Sequence, residues 1–546
     1  MALVGGCTDR PVGGGGHRCP MSDPALAAAV AHEAQVENVA EADVADLTVS
    51  GVADLRGIDC LARLQLLDMR ASPVSDLSPL AGNPTLVNLI IGQTNVVDLG
   101  PVGSIAHLAN LSITDSPFED VSPLGALAEL GTLALTSPRL KTLAGLGLLP
   151  RLGDLIIEGS ALDSFEGIGG APALNQITAW STTVTSTIGL ADLPALTYLY
   201  LDQTEVASLA GLERTPNLKY ISATNTPLTS FEGMGEQPGL TRIDLWNSAL
   251  VSFAGIEAAP NLTKISAPNV QVSSFAGLGH LGALDALDVS GSPLVSLAGI
   301  ENAPSLHALD VSGTPLATLA GIEALAELHS LVAHDTAIVS LAPLAAASQL
   351  GSLQVENTRV ADLGPLASHP ALAGLYLAST AVTDLSPLRD DRNLSDLSIP
   401  YTSISDLSPL AGSALSSLSA QGTPIADITP LAGLTTLRNV DLTDTQVSDL
   451  APLDGLGLSH LSVRSPVLSS LAGLTSLPAI RVLSFGSALT ELDPFTIAGP
   501  AWLDLTGNPL DGNGLAVIQR LCGAGWAVDW DGGSCGRSCN FESCSN

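Results

Sequence analysis

Residues able to do bond chemistry are few in this sequence, and their spacing argues against it. Gly532-Gly533-Ser534-Cys535-Gly536 has the Gly-x-Ser-x-Gly form that exposes a nucleophilic serine on a strand-to-helix turn. Here it lies in a cysteine-rich tail with no such turn, so the match is read as accidental. His32-Glu33 lacks the second histidine three residues on that a zinc-protease helix requires. None of the three lysines, Lys141, Lys219 and Lys264, follows a glycine, which excludes a phosphate-binding P-loop. His307 and His329 stand 22 residues apart with His334 nearby; such a pair can hold a metal, but solvated side chains are the simpler reading. Cys522, Cys535, Cys539 and Cys544 form an even set, read as two disulfides with three possible pairings. A Cys₄ zinc site, whose usual paired knuckles are missing, and free thiols are the alternatives. The sequence therefore predicts no enzyme, no cofactor and no metal site. It points to a protein that works by presenting a surface.

The elements that would present it come from a repeat. From Leu77 a step of 22 residues lands on Leu99, Val121, Leu143 and Phe165, then on Leu209, Phe231, Phe253, Phe275, Leu297 and Leu319. The column continues through Leu341, Leu363, Leu385 and Leu407, and only Thr187, beside Ile188, breaks it. Backwards, the same step reaches Leu55; beyond Leu407 three repeats shorten by one residue, giving Ile428, Leu450, Leu471 and Leu492. In the segment Leu196–Leu212, Leu199 and Leu201 alternate with polar neighbours, the period of a short strand with one buried face. Val206, Leu209 and Leu212 then recur every third residue, which suits a tight 3₁₀ turn. One unit cannot bury its own leucines. Stacked units can, and each fully buried leucine contributes roughly 1.5–3 kcal/mol.

The pattern L-x-x-L-x-L-x-x-[T/N]-x-[L/V/I] resembles the leucine-rich repeat, in the 22-residue class of bacterial internalins and a eukaryotic phosphatase regulatory subunit. The resemblance implies an α/β solenoid, a horseshoe with a parallel sheet on its concave face and short 3₁₀ turns on its convex face. The family's asparagine, which bonds the turn after the strand, stands only at Asn508. Elsewhere the position holds Thr or Ser, as at Thr94, Ser116, Thr204, Thr226, Thr314, Thr336, Thr358, Thr380, Thr402 and Thr445. A hydroxyl also satisfies turn backbone groups, so the ladder is expected to persist in altered chemistry.

The side opposite the strands has two dialects. Asp-Leu-Ser-Pro-Leu occurs at Asp76–Leu80, Asp384–Leu388 and Asp406–Leu410, and Ser-Leu-Ala-Gly-Leu fills the middle, as at Ser208–Leu212. Asp76 or Ser78 is expected to cap the turn, with Pro79 at its first position. Single carboxylates one rung apart lack the ligand density that calcium needs. The expected organisation is a leader or flexible tether over 1–21, an N-terminal helical cap over 22–46, about 21 repeats over 47–510, and a C-terminal cap with a cysteine-rich tail over 511–546. The first cap opens at Asp23-Pro24 with an amphipathic helix through about Val36; the second holds a helix from about Gly514 to Cys522 and a strand over Trp526–Trp530.

Acidic residues outnumber basic ones 54 to 20, giving a net charge of −34. Nucleic acid and anionic membranes would repel such a chain, and no apolar run is long enough to cross a bilayer. Leu3-Val4-Gly5-Gly6-Cys7 resembles the end of a bacterial lipoprotein signal, which implies acylation of Cys7 and a tether through Gly13–Gly16, although the charged and apolar stretch that should come first is missing. A leader without fixed structure is the alternative. With Cys7 acylated, Cys19 and Cys60 remain as one further pair.

Residues between the strand leucines face the concave side. Those columns read Gln176, Thr178, Trp180; then Tyr198, Tyr200, Asp202; then Tyr220, Ser222, Thr224; then Arg242, Asp244, Trp246, with Lys264 in the next rung. Five of the ten Trp and Tyr residues gather there, in a chain that is 3% aromatic. With strands about 4.8 Å apart, Trp180 and Trp246 would lie about 14–15 Å apart. Aromatics flanked by arginine are the usual hot-spot composition of protein interfaces. Trp180, Tyr198, Tyr200, Tyr220, Arg242, Asp244, Trp246 and Lys264 are thus the expected contact residues for a protein, or else a glycan. The expected molecule is a monomeric adhesion or recognition scaffold, secreted or at the cell surface, touching a membrane only through Cys7. An intracellular regulatory subunit and a purely structural spacer are the alternatives.

Overall fold

Alternation of leucine with polar residues makes a short strand in each repeat, and a constant repeat length brings successive strands into parallel register. The computed structural model describes residues 19–146, 149–367, 369–471, 474, 482–485, 488–489, 492 and 502–535, in two units, Met1–Ala249 and Leu250–Asn546. In the first unit α1 (Pro24–Glu37) precedes β1 (Asp46–Thr48), β2 (Leu66–Arg70), β3 (Asn88–Gly92), β4 (Asn110–Thr114), β5 (Thr132–Leu135), β6 (Asp154–Ile157), β7 (Gln176–Thr178), β8 (Tyr198–Tyr200), β9 (Tyr220–Ser222) and β10 (Arg242–Asp244). Each pairs in parallel with the next: Leu111 opposes Leu133, Leu155 opposes Ile177, Leu199 opposes Ile221. These residues are all buried and form one spine.

The second unit repeats the scheme from Lys264–Ser266 onward. Leu287 opposes Leu309 and Leu309 opposes Leu331. The register shortens by one residue where Leu397 meets Leu418 and again where Val440 meets Leu461. Trp502–Asp504 pairs in parallel with Ala527–Trp530, across the helix α2 at Gly512–Gly523. Both units have the leucine-rich-repeat solenoid fold, a parallel sheet on one side and short 3₁₀ segments on the other.

The hydroxyl ladder takes the expected place. Thr204, Thr226, Thr336, Thr402 and Thr445 each donate from Oγ1 to the carbonyl three residues back, at 2.6–2.8 Å. Asn508 does the same through Nδ2 to Leu505, and its Oδ1 accepts from the backbone N–H of Leu489 in the rung before. Serines at this column reproduce the second bond: Ser160 accepts from Ser137 N and Ser292 from Val270 N.

The two dialects close their turns differently. Asp76 Oδ1 accepts from Ser78 N at 2.8 Å and Pro79 fixes the first turn of a 3₁₀ helix at Ser78–Leu80. In the other dialect Ser208 accepts from Ala210 N, and Gly211 follows with φ +111°. A Cβ on Gly211 would sit 2.4 Å from the carbonyl oxygen of Thr187, so the left-handed backbone and the close rung above both demand glycine. The segment Leu209–Leu212 is a turn rather than a 3₁₀ helix. Thr187 keeps its core place: it is fully buried and donates to Ala210 O at 2.9 Å, while Ile188 points out, 49% exposed.

Those capping aspartates set an acid limit. The Ser78 N–H holds the Asp76 carboxyl below its ordinary value, and hydroxyls of Ser122, Ser386 and Thr429 do so for Asp120, Asp384 and Asp427. Depressed folded values stabilise the fold above the unfolded pKa, about 3.9, and that contribution is lost as pH falls through the folded values. Thermal melts should therefore hold level on the neutral side and fall below about pH 4. Asp384→Asn with Asp427→Asn keeps an acceptor without the titration and should soften the fall; an unchanged acid limb would refute the role.

At the start, Asp23 caps α1 by accepting from Ala25 and Leu26, and its other oxygen accepts from Ala53 at 2.8 Å. Leu26, Val30 and Ala34 bury one narrow face of α1, which lies against β1. Val36, at its end, is 65% exposed. Cys19 is bonded to Cys60 and Cys522 to Cys535. Cys7, Gly13–Gly16, Cys539 and Cys544 lie outside the described residues.

Candidate functional site

The patch is built by register. Gln176, Tyr198, Tyr220 and Arg242 are direct cross-strand partners on β7–β10, and Thr178, Tyr200, Ser222 and Asp244 form the next column. Trp180 and Trp246 stand just beyond the ends of β7 and β10. The backbone there is tied between rungs: Ser181 N donates to Asp202 O, Gln203 N to Thr224 O and Asn225 N to Trp246 O. Side chains of this third column therefore project from a fixed frame.

Trp180, Tyr198 and Trp246 are 45%, 39% and 54% exposed, unusual for side chains of that size. Tyr200 meets Tyr220 edge-on with ring centroids 5.3 Å apart. The Arg242 guanidinium lies 5.6 Å from the Tyr220 ring centroid and grips Asp244 through Nε and Nη2. Tyr220 donates its hydroxyl to Asp244 Oδ2 at 2.7 Å. Burial first, then that carboxylate, pushes the Tyr220 hydroxyl above its ordinary value, so it stays a donor. Asp244 is only 8% exposed. Expected as a contact residue, it is placed inside as the anchor that holds Tyr220 and Arg242. Lys264 is exposed on the first strand of the second unit.

A shallow depression of about 260 Å³ lies beside these residues, lined by Gln176, Thr178, Trp180, Tyr200 and Asp202. Asp202 Oδ1 accepts from Ser222 Oγ, Thr224 N and Thr224 Oγ1 at 2.5–2.9 Å. Sequence reading placed Asp202 in the columns but not among the contact residues. Its signal was an acidic residue in the column that carries both tryptophans.

The other candidates for chemistry are accounted for differently. His307 and His329 stack with ring centroids 4.9 Å apart; His307 Nδ1 lies 2.8 Å from Asp285 Oδ1 and His329 Nδ1 2.6 Å from Glu327 O. His334 pairs with Asp335. Among the described residues no three His, Cys, Asp or Glu side chains converge as metal ligands, and no helix is long and apolar enough to cross a membrane. Ser534 sits in a two-stranded antiparallel hairpin opposite Asp529, not on a strand-to-helix turn.

No family model and no curated protein matches the chain. Solved structures that resemble it include an internalin of Listeria monocytogenes, 19% identical over 77% of this chain and 96% of that one, with a TM-score of 0.31. A leucine-rich-repeat protein of Leptospira interrogans is 17% identical over 92% and 98%, with a TM-score of 0.39. Drosophila Toll, solved in complex with Spätzle, is 16% identical over 85% of this chain and 60% of that one, with a TM-score of 0.49. At these identities the likeness is one of fold.

Proposed function

We propose that this chain is a non-enzymatic scaffold, secreted or held at the cell surface, that binds a protein on the sheet face of its first unit. The observation that carries the reading is the registered patch on β7–β10. Two exposed tryptophans and three tyrosines stand on a rigid parallel frame, with Arg242 and Tyr220 locked in place by Asp244. Rigid aromatics with a flanking arginine bind with little ordering cost, which is what a recognition surface needs. Two disulfides fit an oxidising compartment. Anchoring through an acylated Cys7 belongs to the same proposal.

Comparative capture tests it. Proteins retained by the immobilised chain are quantified against Trp180→Ala with Trp246→Ala, and against a control with His307→Ala and His329→Ala. A genuine partner should lose about tenfold or more in affinity with the tryptophans replaced and nothing with the control. Equal retention by all three proteins would overturn the reading.

A further inference from the structure

Carboxylates in and just beyond the strands of the first unit are not equivalent. Asp68 is paired with Arg70, and Asp244 with Arg242, each through a guanidinium on its own strand. Asp202 has no such cation: among the described residues its ionic partners are none, and its three hydrogen bonds all fall on Oδ1. Those bonds come from neutral donors, so they fix the carboxylate in place without cancelling its charge. Oδ2 takes none of these bonds, and Asp202 lines the depression together with Trp180 and Tyr200. Gln176 and Thr178 complete the wall with neutral hydrogen-bonding groups.

An aromatic face beside an unneutralised, pre-oriented carboxylate is the composition that receives a guanidinium or ammonium group: the rings attract the cation through their quadrupoles and the carboxylate takes its N–H donors. Resting on the protein-binding reading above, we propose that this depression is the subsite for a basic side chain, arginine foremost, projecting from the bound protein. Arginine suits it better than lysine because its planar group stacks on indole while donating sideways to a carboxylate. The charge of the whole chain, −34, favours the same class of partner by steering basic surfaces toward it. A neutral saccharide could stack on Trp180 as well, but it would make no use of the uncompensated charge.

Fluorine NMR of the full chain labelled with 5-fluorotryptophan provides the test, with the Trp180 resonance assigned by Trp180→Phe. The probes are an acetylated Gly-Arg-Gly amide, its citrulline counterpart, and a neutral trisaccharide of N-acetylglucosamine. The arginine peptide should shift the Trp180 resonance saturably, less so at high salt, and the citrulline peptide should not. Asp202→Asn, which keeps an acceptor for Ser222 and Thr224, should weaken the arginine peptide about tenfold; Asp288→Asn in the second unit should leave it unchanged. A response to the trisaccharide and not to arginine would overturn the proposal in favour of a sugar site. Equal responses to arginine and citrulline, or indifference to Asp202→Asn, would also overturn it. If partner capture still depends on the tryptophans in those cases, the protein-binding reading stands and only the basic subsite fails.

Discussion

Phe253→Ala should lower the stability of the second unit by about 3–5 kcal/mol, whereas Phe253→Leu should cost under about 1.5 kcal/mol. The ring is fully buried, and its neighbour in the column, Phe275, lies with its centroid 6.0 Å away. Leucine is what most repeats carry at this column, so the rung already has a shape that leucine fills. Alanine removes the ring, its contact with Phe275 and the filling of the rung at once. A solenoid makes this worse than the same change in a globular core. Each rung is stabilised mainly by its two neighbours, so a hole in one weakens two interfaces and interrupts the spine. Urea titration followed by circular dichroism should show the alanine variant unfolding earlier and in a broader or divided transition, the leucine variant nearly superimposed on the parent. A loss below about 1 kcal/mol for alanine would mean that the rungs repack around the gap, and the spine would not be the source of stability.

The same logic explains what was legible in the sequence. Leu111, Leu155, Leu199 and Ile221 repeat because burial in a stacked fold leaves no freedom at those positions, so periodicity alone placed them. The threonine column was readable for a related reason: every turn after a strand has the same carbonyl to satisfy, and a hydroxyl at a fixed offset reaches it. Where choice exists, the sequence was a poorer guide. Thr187 against Ile188 was decided by a hydrogen bond to the next rung, which the apolar column does not encode. A spacing of three was shared by 3₁₀ helices and plain turns: proline after a capping aspartate goes with the helix at Ser78–Leu80, whereas positive-φ glycines occur with both, a helix following Gly255 and a turn holding Gly211.

For the site, alternation identified which columns face outward, and that was enough to gather Trp180, Tyr198, Tyr200, Tyr220 and Trp246. It could not say which carboxylate is spent inside the patch. Arg242 and Asp244 lie two residues apart on one face, so their pairing was within reach of strand periodicity. The Tyr220–Asp244 bond and the three donors on Asp202 cross from rung to rung, and depend on side-chain reach that spacing does not specify. Lys264 joined the expected patch as the next rung of the repeat, one period after Arg242; it lies in the second unit.

Removing the Cys19–Cys60 bond, by Cys19→Ser with Cys60→Ser, should cost about 3–4 kcal/mol and release α1 first. The bond closes a separation of 41 residues, long enough for cross-linking to remove much freedom from the unfolded chain. What it ties down is modest on its own: α1 buries only Leu26, Val30 and Ala34, and is otherwise held by Asp23 accepting from Ala53 and Asp54, by Glu37 accepting from Ala45 and Asp46, and by Ser22 N donating to Arg56 O. Behind it lies β1, whose Leu47 and neighbouring Val44 and Val49 are buried. Loosening α1 therefore exposes the first rung, and a solenoid opened at one end can unravel rung by rung. Hydrogen exchange should show protection lost in α1 and β1 before the strands of the aromatic patch, with the unfolding midpoint of the parent lowered to the variant's by reductant. The outcome also bears on where the molecule works. A bond that sustains the first rung ties the fold to an oxidising compartment. If reductant and the double variant leave both the midpoint and α1 exchange unchanged, the fold needs no such compartment. The competing reading, an intracellular regulatory subunit docking its enzyme on the same tryptophans, would then take the lead.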